Sequence, residues 1–526
     1  MGQPACPVPK PERGVLAVDH VSASRAAAGR LVAAWGRHDV RLRPVSKDRL
    51  SEAQRRGVRE LLRIAPVVDE LGARFQRADQ QIALVGGSVR DALLGRLGTD
   101  LDFTTSARPE QVERLLVGWA DATWDIGREF GTIGARKGDW RIEITTFRAE
   151  AYDPDSRKPR VTYGDTLEGD LGRRDFTVNA LAVALPGREF VDPFGGLTDL
   201  AAGVLRTPAT PEESFTDDPL RMMRAARFAS QLGFAVAPEV VDAIRAMADR
   251  ITIVSAERVR DELVKLILGD HPRAGLELVV STGLADHILP ELPALRLEVD
   301  EHHRHKDVYE HSLTVLEQAI ALENRIGDGG PDFITRFAAL IHDIGKPRTR
   351  RFEGGGRVTF HHHEAVGAKL TAKRMRALRF GSDQVDAVSR LVELHLRFHG
   401  YGGGEWTDSA VRRYVRDAGP LLDRLHVLTR ADCTTRNRRK AEALQRTYDH
   451  LEERIARLAE EEELGKIRPD LDGNEIMEIL AIGPGPVVGR AWKHLLEVRL
   501  DQGPLDKDAV RAELLRWWKE LPESHQ

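Results

Sequence analysis

A change of periodicity near residue 205 constrains this chain more than any other feature. Between about 81 and 190 the apolar residues fall in short strand-like runs, QIALVGG, DLDFTT, TIGARKGDWRIEITTFR and LAVAL, divided by glycine and aspartate. After about 205 that signal fades and the pattern reads as helix to the end. The expected fold is α+β, a small α/β head with a mixed sheet followed by an all-α body. A helix precedes the strands from Ser51, with Val58, Leu61, Leu62, Ile64, Val67, Val68 and Leu71 as its apolar face. EGGGR at 353–357 and YGGGEW at 401–406 read as loops between helices.

At roughly 100–200 residues per domain, 526 residues hold about three to five domains. We place them at 51–205, 206–295, 296–455 and 456–526, after an N-terminal extension, 1–50. That extension carries nine Lys/Arg against four Asp/Glu and is expected to be flexible. No stretch approaches the ~20 apolar residues of a membrane span. MGQPACPVPKPERG lacks the apolar region of a signal peptide. Cys6 and Cys433 make neither a disulfide framework nor a cysteine metal site, so a reducing cytoplasm is the expected compartment. The net charge of −4 means that any polyanion-binding surface must be local.

Leu84-Val85-Gly86-Gly87-Ser88-Val89-Arg90-Asp91 reads as strand, glycine turn, helix. Backbone N–H groups at such a turn approach an anion closely, the helix N-terminus adds partial positive charge, and Arg90 adds a full one. The pattern is not that of a P-loop. Asp100 and Asp102 follow on a strand and point to one face, where two carboxylates repel unless a cation lies between them. Mg²⁺, with its preference for carboxylate and phosphate oxygens, fits that requirement. Glu143, on a later strand, is placed as a third carboxylate of a two-metal site. In RRDFTVNAL, Arg174 is available to phosphate, with Asp175 and Asn179 buttressing it. DPFGG at 192–196 reads as a turn. In TDDPLRMMRAARF, Asp218 and Arg221 stand at i, i+3 and can pair, while Arg221, Arg224 and Arg227 follow one side of a helix. A carboxylate and a guanidinium side by side offer an acceptor and donors to a nucleobase edge.

The ordered set GGSVRD, DLD, RRDFTVNALA, DPFGG and DDPLRMMRAARF resembles the class II tRNA CCA-adding nucleotidyltransferase and bacterial poly(A) polymerase family, polymerase-β-like in its head, over about residues 56–295. The resemblance implies that Gly87 and Arg90 hold a triphosphate, that Asp100 and Asp102 bind Mg²⁺, and that Arg174 contacts nucleotide. It also implies that Asp218 and Arg221, with Arg224 and Arg227 nearby, select CTP or ATP. Asp217 stands where the family commonly has Glu. The implied reaction is in-line attack by an RNA 3′-hydroxyl on the α-phosphate with Asp100 and Asp102 catalytic, and Glu143, from its place on a later strand, joins them as a third carboxylate.

The body carries a second constellation. Glu310-His311 lies on a helical run, and an apolar helix delivers His342-Asp343 just before Gly345-Lys346-Pro347. Neutral imidazole and carboxylate hold divalent ions while leaving room for water. Asp432 is a distant ligand on another helix. This order resembles the HD metal-dependent phosphohydrolase superfamily, over about 296–455. The resemblance implies a divalent transition metal on His311, His342, Asp343 and Asp432, with His363 and His395 completing a second position; it implies the means for phosphohydrolysis, not the activity itself. His302, His303 and His305 read as surface residues.

Lys369, Lys373, Arg374, Arg376 and Arg379 form one basic run, and Arg430, Arg436, Arg438, Arg439 and Lys440 another. Together they are expected to follow tRNA phosphates. In the tail, Trp517 and Trp518 are expected to pack. The expected function is template-independent CCA addition to tRNA from CTP and ATP. The alternatives are a poly(A) polymerase, a partial CC- or A-adding enzyme and, in a different class, a phosphohydrolase with a nucleotide-binding head.

Overall fold

The computed structural model describes residues 47–127, 131–151, 160–164, 166–296, 307–327, 329–353, 357–398, 406–433, 438–462 and 468–521. Nearly all of the basic extension, Cys6, the three histidines His302, His303 and His305, and Arg436 lie outside the described residues. The first helix, Lys47–Arg77, begins before Ser51 and runs through Pro66. Its buried stripe is Ile64, Val68, Leu71 and Phe75, whereas Val58 and Leu62 stay exposed. The apolar face expected from the sequence is therefore rotated. Leu62 lies off the line of i, i+3, i+4 steps that meets the head, and Phe75 completes that line one turn further on.

The head is built on a seven-stranded sheet. Its first five strands are β1 (Ile82–Val85), β2 (Asp100–Thr105), β3 (Ala122–Gly127), β4 (Thr132–Lys137) and β5 (Trp140–Thr146), joined by Ala182–Leu185 and Glu189–Val191. The order across the sheet is β3-β4-β5-β2-β1, then 182–185, then 189–191. β1 is an interior strand, antiparallel to both neighbours, and β2, the middle strand, lies parallel to β5. All four β1 residues are buried because both faces are covered. Ile82 and Leu84 join the main core with Phe103, while Ala83 and Val85 join a small cluster with Leu171 and Ala182. Leu101 and Phe103 face the main core, so strand alternation turns Asp100 and Asp102 to the other side. The parallel register sets Asp102 beside Glu143.

Helices Pro211–Asp217, Leu220–Leu232, Ala256–Ile267 and Pro272–Ser281 form the neck. The body follows with Val308–Leu322, Phe333–Ile341, His363–Ala377, Ser382–Leu394, Asp408–Ala418, Leu422–Asp432 and Arg438–Glu462. It is not wholly helical. Arg351–Glu353 and Arg357–Thr359 pair as antiparallel strands where a simple loop was expected. Arg336 is buried between neck and body; it donates to the carbonyls of Ile267 (3.0 Å) and Gly269 (2.8 Å) and pairs bidentately with Glu323. The neck helix thus ends on a charged donor, as its exposed carbonyls require.

The tail helices Gly473–Leu480, Pro486–Gln502 and Lys507–Glu520 enclose a separate core of Ile476, Leu480, Leu495 and Leu514. Trp517 and Trp518 pack against it, and Trp517 stacks on His494 at 5.4 Å. Among the described residues, no helix is long and apolar enough to cross a membrane.

Candidate active site and a histidine cluster

At the end of β1, Gly86 turns the chain with φ 66° into the helix Gly87–Leu94. The left-handed conformation favours glycine there, and a Cβ would lie 2.6 Å from Arg174 Nη1, forcing that side chain to shift. At Gly87 a Cβ would approach Arg90 Nη2 at 3.6 Å and Asp102 Oδ2 at 3.8 Å. The turn, the two arginines and Asp102 therefore surround one small volume. Ser88 ties the turn to β2: its hydroxyl accepts from Asp102 N at 2.9 Å.

Hydrogen bonds hold the arginines in place. Arg90 Nη1 donates to Asn179 Oδ1 at 2.7 Å, and Asn179 Nδ2 donates to Asp175 Oδ1 at 2.9 Å. Arg173 and Arg174 share buried Asp170, at 2.7 and 3.1 Å. Arg174 Nε is buried without an acceptor. Burial, Glu143 and Asp100 push the Asp102 carboxyl up to about 6, against the opposing pull of Arg174 and Arg90. A carboxylate raised by its acidic neighbours is stabilised by a cation, so Asp100, Asp102 and Glu143 fit the Mg²⁺ implied by the sequence. DPFGG is structural, since Asp192 accepts from the N–H groups of Gly196 (2.7 Å) and Leu197 (3.0 Å).

The arrangement on the helix Leu220–Leu232 differs from the expected one. Asp218 and Arg221 do not pair through their side chains. Asp218 accepts from Leu220 N at 3.1 Å and binds Arg258 Nη2 at 2.8 Å, across to the neck helix Ala256–Ile267. Arg221 is buried and spends its fork on Ser214 Oγ (2.9 Å) and the Arg173 carbonyl (2.5 Å). Spacing along a helix cannot show that the Asp218 carboxylate turns to Leu220 N and Arg258, or that a carbonyl 48 residues away lies within reach of Arg221. Arg224 binds Asp175 at 2.5 Å and Arg227 binds Glu262 at 3.2 Å. Arg90, Arg224 and Arg227 also surround the Phe228 ring at 5.2, 5.6 and 4.2 Å from its centroid. Burial disfavours the charge on Asp175, but Arg224 and the Asn179 hydrogen bond outweigh it and hold the carboxyl well below the usual carboxylate range. Burial and Arg224 push Arg227 down to about 10.

In the body, two groups of metal-capable donors converge: His311, His342 and Asp432, then Asp343, His363 and His395. Asp343 faces both. Its Oδ2 lies 3.3 Å from His342 Nε2 and 3.6 Å from His311 Nε2, and its Oδ1 lies 3.2 Å from His363 Nε2 and 3.9 Å from His395 Nε2. Asp432 Oδ1 closes the first group, 3.0 Å from His311 Nε2. His342, His363 and His395 each place Nδ1 on the carbonyl three residues earlier, at 2.9, 2.8 and 2.7 Å. A carbonyl only accepts, so Nδ1 donates there and Nε2 is the ring atom turned into the cluster. The Nε2 atoms of His363 and His395 are buried and have no hydrogen-bond partner. Imidazole nitrogens turned toward a buried carboxylate fit divalent metal ions. Lys346 Nζ, unforeseen as part of the site, donates to Asp343 Oδ2 at 2.5 Å.

The basic runs divide in the same way. Arg374 is held by Glu291 and buried Arg430 by Glu452 and Asp449, so neither is available to phosphate. Asp170, Ser88, Arg258 and Glu262 escaped the sequence reading, because each meets its partner through space and has no distinctive motif of its own.

This fold and these residues define a polymerase-type nucleotidyltransferase head joined to an HD-type body. Family models match accordingly: the poly A polymerase head domain over 82–206, a probable RNA- and SrmB-binding site of polymerase A over 233–295, and the HD domain over 308–437. The A-adding tRNA nucleotidyltransferase of Deinococcus radiodurans is 34% identical over 449 residues, covering 84% of this chain and 96% of that one. The CCA-adding enzyme of Bacillus velezensis is 40% identical over 237 residues, where this chain spans only 57% of its length. The structure of the Bacillus stearothermophilus CCA-adding enzyme in complex with CTP matches with a TM-score of 0.62 and 25% identity, covering 85% of this chain and 96% of that one. The chain belongs to the tRNA nucleotidyltransferase and poly(A) polymerase family, in a form that carries an HD domain.

Proposed function

We propose that this chain adds CCA to tRNA 3′ ends from CTP and ATP. The observation that carries the choice of nucleotides is the Asp218 carboxylate, held beside the guanidinium of Arg258. It offers an acceptor to an exocyclic amino group, which cytosine and adenine both carry and uracil lacks. Arg90, Arg174 and the Gly86–Gly87 turn take the triphosphate and, as pyrophosphate leaves, its growing charge. The RNA 3′-hydroxyl gives up its proton to solvent, its oxygen bonds to the α-phosphorus, and the bond from that phosphorus to the pyrophosphate oxygen breaks, the electron pair leaving with pyrophosphate. Asp100 and Asp102 with Glu143 would hold Mg²⁺, which would supply charge neutralisation and a lowered pKa for the attacking hydroxyl. The residues of this chain contribute alignment, and positioning of this kind is worth roughly 7–11 kcal/mol of barrier.

The test is extension of tRNA transcripts ending before CCA, after C and after CC, offered CTP, ATP or both, with products sequenced. Growth that stops at CCA supports the proposal. A-addition alone, on the CC-ended transcript, would replace it with the reading favoured by the nearly full-length match to the A-adding Deinococcus enzyme. A long A tail from ATP would replace it with poly(A) polymerase.

We propose in addition that His311, His342, Asp343, Asp432, His363 and His395 hold divalent transition-metal ions for phosphate-ester hydrolysis. Asp343, facing both donor groups, carries this reading. Metal analysis of the purified full chain is expected to find about two ions per molecule; a chain free of metal after growth and purification with Mn²⁺ present would sink it.

A further inference from the structure

We propose that the outer face of the helix His363–Ala377 is a phosphate track for the RNA on which the head acts. This rests on the tRNA reading above and adds to it where the RNA lies. Lys369, Lys373 and Arg376 are exposed at i, i+4 and i+7, so they stack along one side over about 10 Å, and exposed Arg379 continues the row just past the helix end. None of the four side chains makes an ion pair among the described residues. Their neighbours do: Arg374 pairs with Glu291, Arg390 with Glu393 and Arg397 with Asp417. Exposed arginines such as Arg348, Arg446 and Arg457 also lack an acid partner among the described residues, so what distinguishes the row is its alignment: four cations in line concentrate positive charge on a chain of net charge −4. No acid occurs between Ala365 and Ser382 to offset them.

The position of the row points to RNA rather than to an acidic protein. The Arg379 carbonyl accepts from Arg260 Nη1 at 2.6 Å, and Arg260 stands on the neck helix Ala256–Ile267. The first turn of that helix carries Arg258, which holds Asp218. The row thus ends against the element that braces the nucleotide-selecting residue, and an RNA backbone following it is led toward the head. Contacts of this kind give affinity and register without reading sequence.

The test uses the full chain with Lys369→Glu, Lys373→Glu and Arg376→Glu combined. Arg379 is left alone because it sits at φ 61° and its carbonyl is engaged. Affinity for a tRNA transcript is measured across a KCl series, together with KM and kcat for addition. We expect tRNA affinity to fall at least about tenfold near 0.1 M salt. The slope of log K against log salt should lose about 0.7–0.9 per phosphate contact removed, or about two in total. KM for tRNA should rise while KM for nucleotide stays unchanged. Should the reversal variant not fold, the triple Gln variant gives the same readout with a smaller effect. Wild-type binding of tRNA with an unchanged affinity and slope in the variant overturns the track alone. Failure of the wild type to bind tRNA at all overturns the tRNA reading, and the track with it.

Discussion

Asp175 shows how a single residue organises the head. One carboxylate oxygen takes Arg224 and the other takes Asn179, which in turn holds Arg90. The glycine-turn arginine, Arg90, and the helix Leu220–Leu232 are therefore fixed to the same buried anion. Because its folded-state pKa lies below the unfolded value, Asp175 stabilises the fold above the ordinary aspartate pKa, and that stabilisation is lost as pH falls below about 4. Asp175→Asn is expected to melt at a lower temperature than wild type at pH 7, and the gap should narrow between pH 5 and pH 3. Asp175→Ala, which leaves Arg224 without its acid, should cost more, about 3–5 kcal/mol. Thermal unfolding from pH 3 to 7 checks both, and a gap that widens toward acid would refute the assignment. At this scale the motifs were legible but their partners were not. RRD and NAL announced Asp175 and Asn179. Nothing in the sequence announced that Asp218 would meet Arg258, 40 residues on, rather than Arg221 one turn away.

Among the elements, the turn after His342-Asp343 is as closely constrained as any strand. A Cβ on Gly345 would fall 2.0 Å from the His363 carbonyl, so this turn and the start of the helix His363–Ala377 press backbone to backbone. That contact sets Asp343 of one donor group against His363 of the other. Gly345→Ala is expected to push the two segments apart, lower the melting temperature by the equivalent of roughly 1–3 kcal/mol, and strip bound metal. Nucleotide addition by the head should be largely kept. Metal analysis and a primer-extension assay on the same preparation check this; full metal retention would show that the two groups do not depend on the turn. HDIGKP made the position readable, since a glycine before proline ends a helix. The reason for the glycine, a neighbour 18 residues away, came only with the fold. The strand pair flanking 354–356 went unread for a related reason. Three-residue strands are too short for alternation to register, and the glycines between them suit a loop equally well.

The whole molecule joins the nucleotidyltransferase head and the histidine cluster of the body through one joint. The helix Phe333–Ile341 delivers His342 and Asp343, and its Arg336 grips the end of the neck helix whose first turn carries Arg258. Strand-to-helix order made this two-part build visible in the sequence, because local periodicity survives in any packing. The joint was not visible, since a buried arginine among apolar residues reads as a solvated one until its carbonyl acceptors are known. The joint does not make the sites interdependent, because the six donors of the histidine cluster all come from the body, whereas the head's site draws on head and neck. Replacing both Asp100 and Asp102 by Ala should abolish nucleotide addition to tRNA, a loss of at least about 10³-fold, while metal content and phosphate-ester hydrolysis persist. Replacing His342 and Asp343 by Ala should remove bound transition metal and hydrolysis and leave addition within a few-fold of wild type. Both activities measured on both variants decide the matter. Loss of addition in the second variant, with its fold intact by circular dichroism, would mean that Arg336 transmits the state of the histidine cluster to the selection helix, and the two halves would then form a single device.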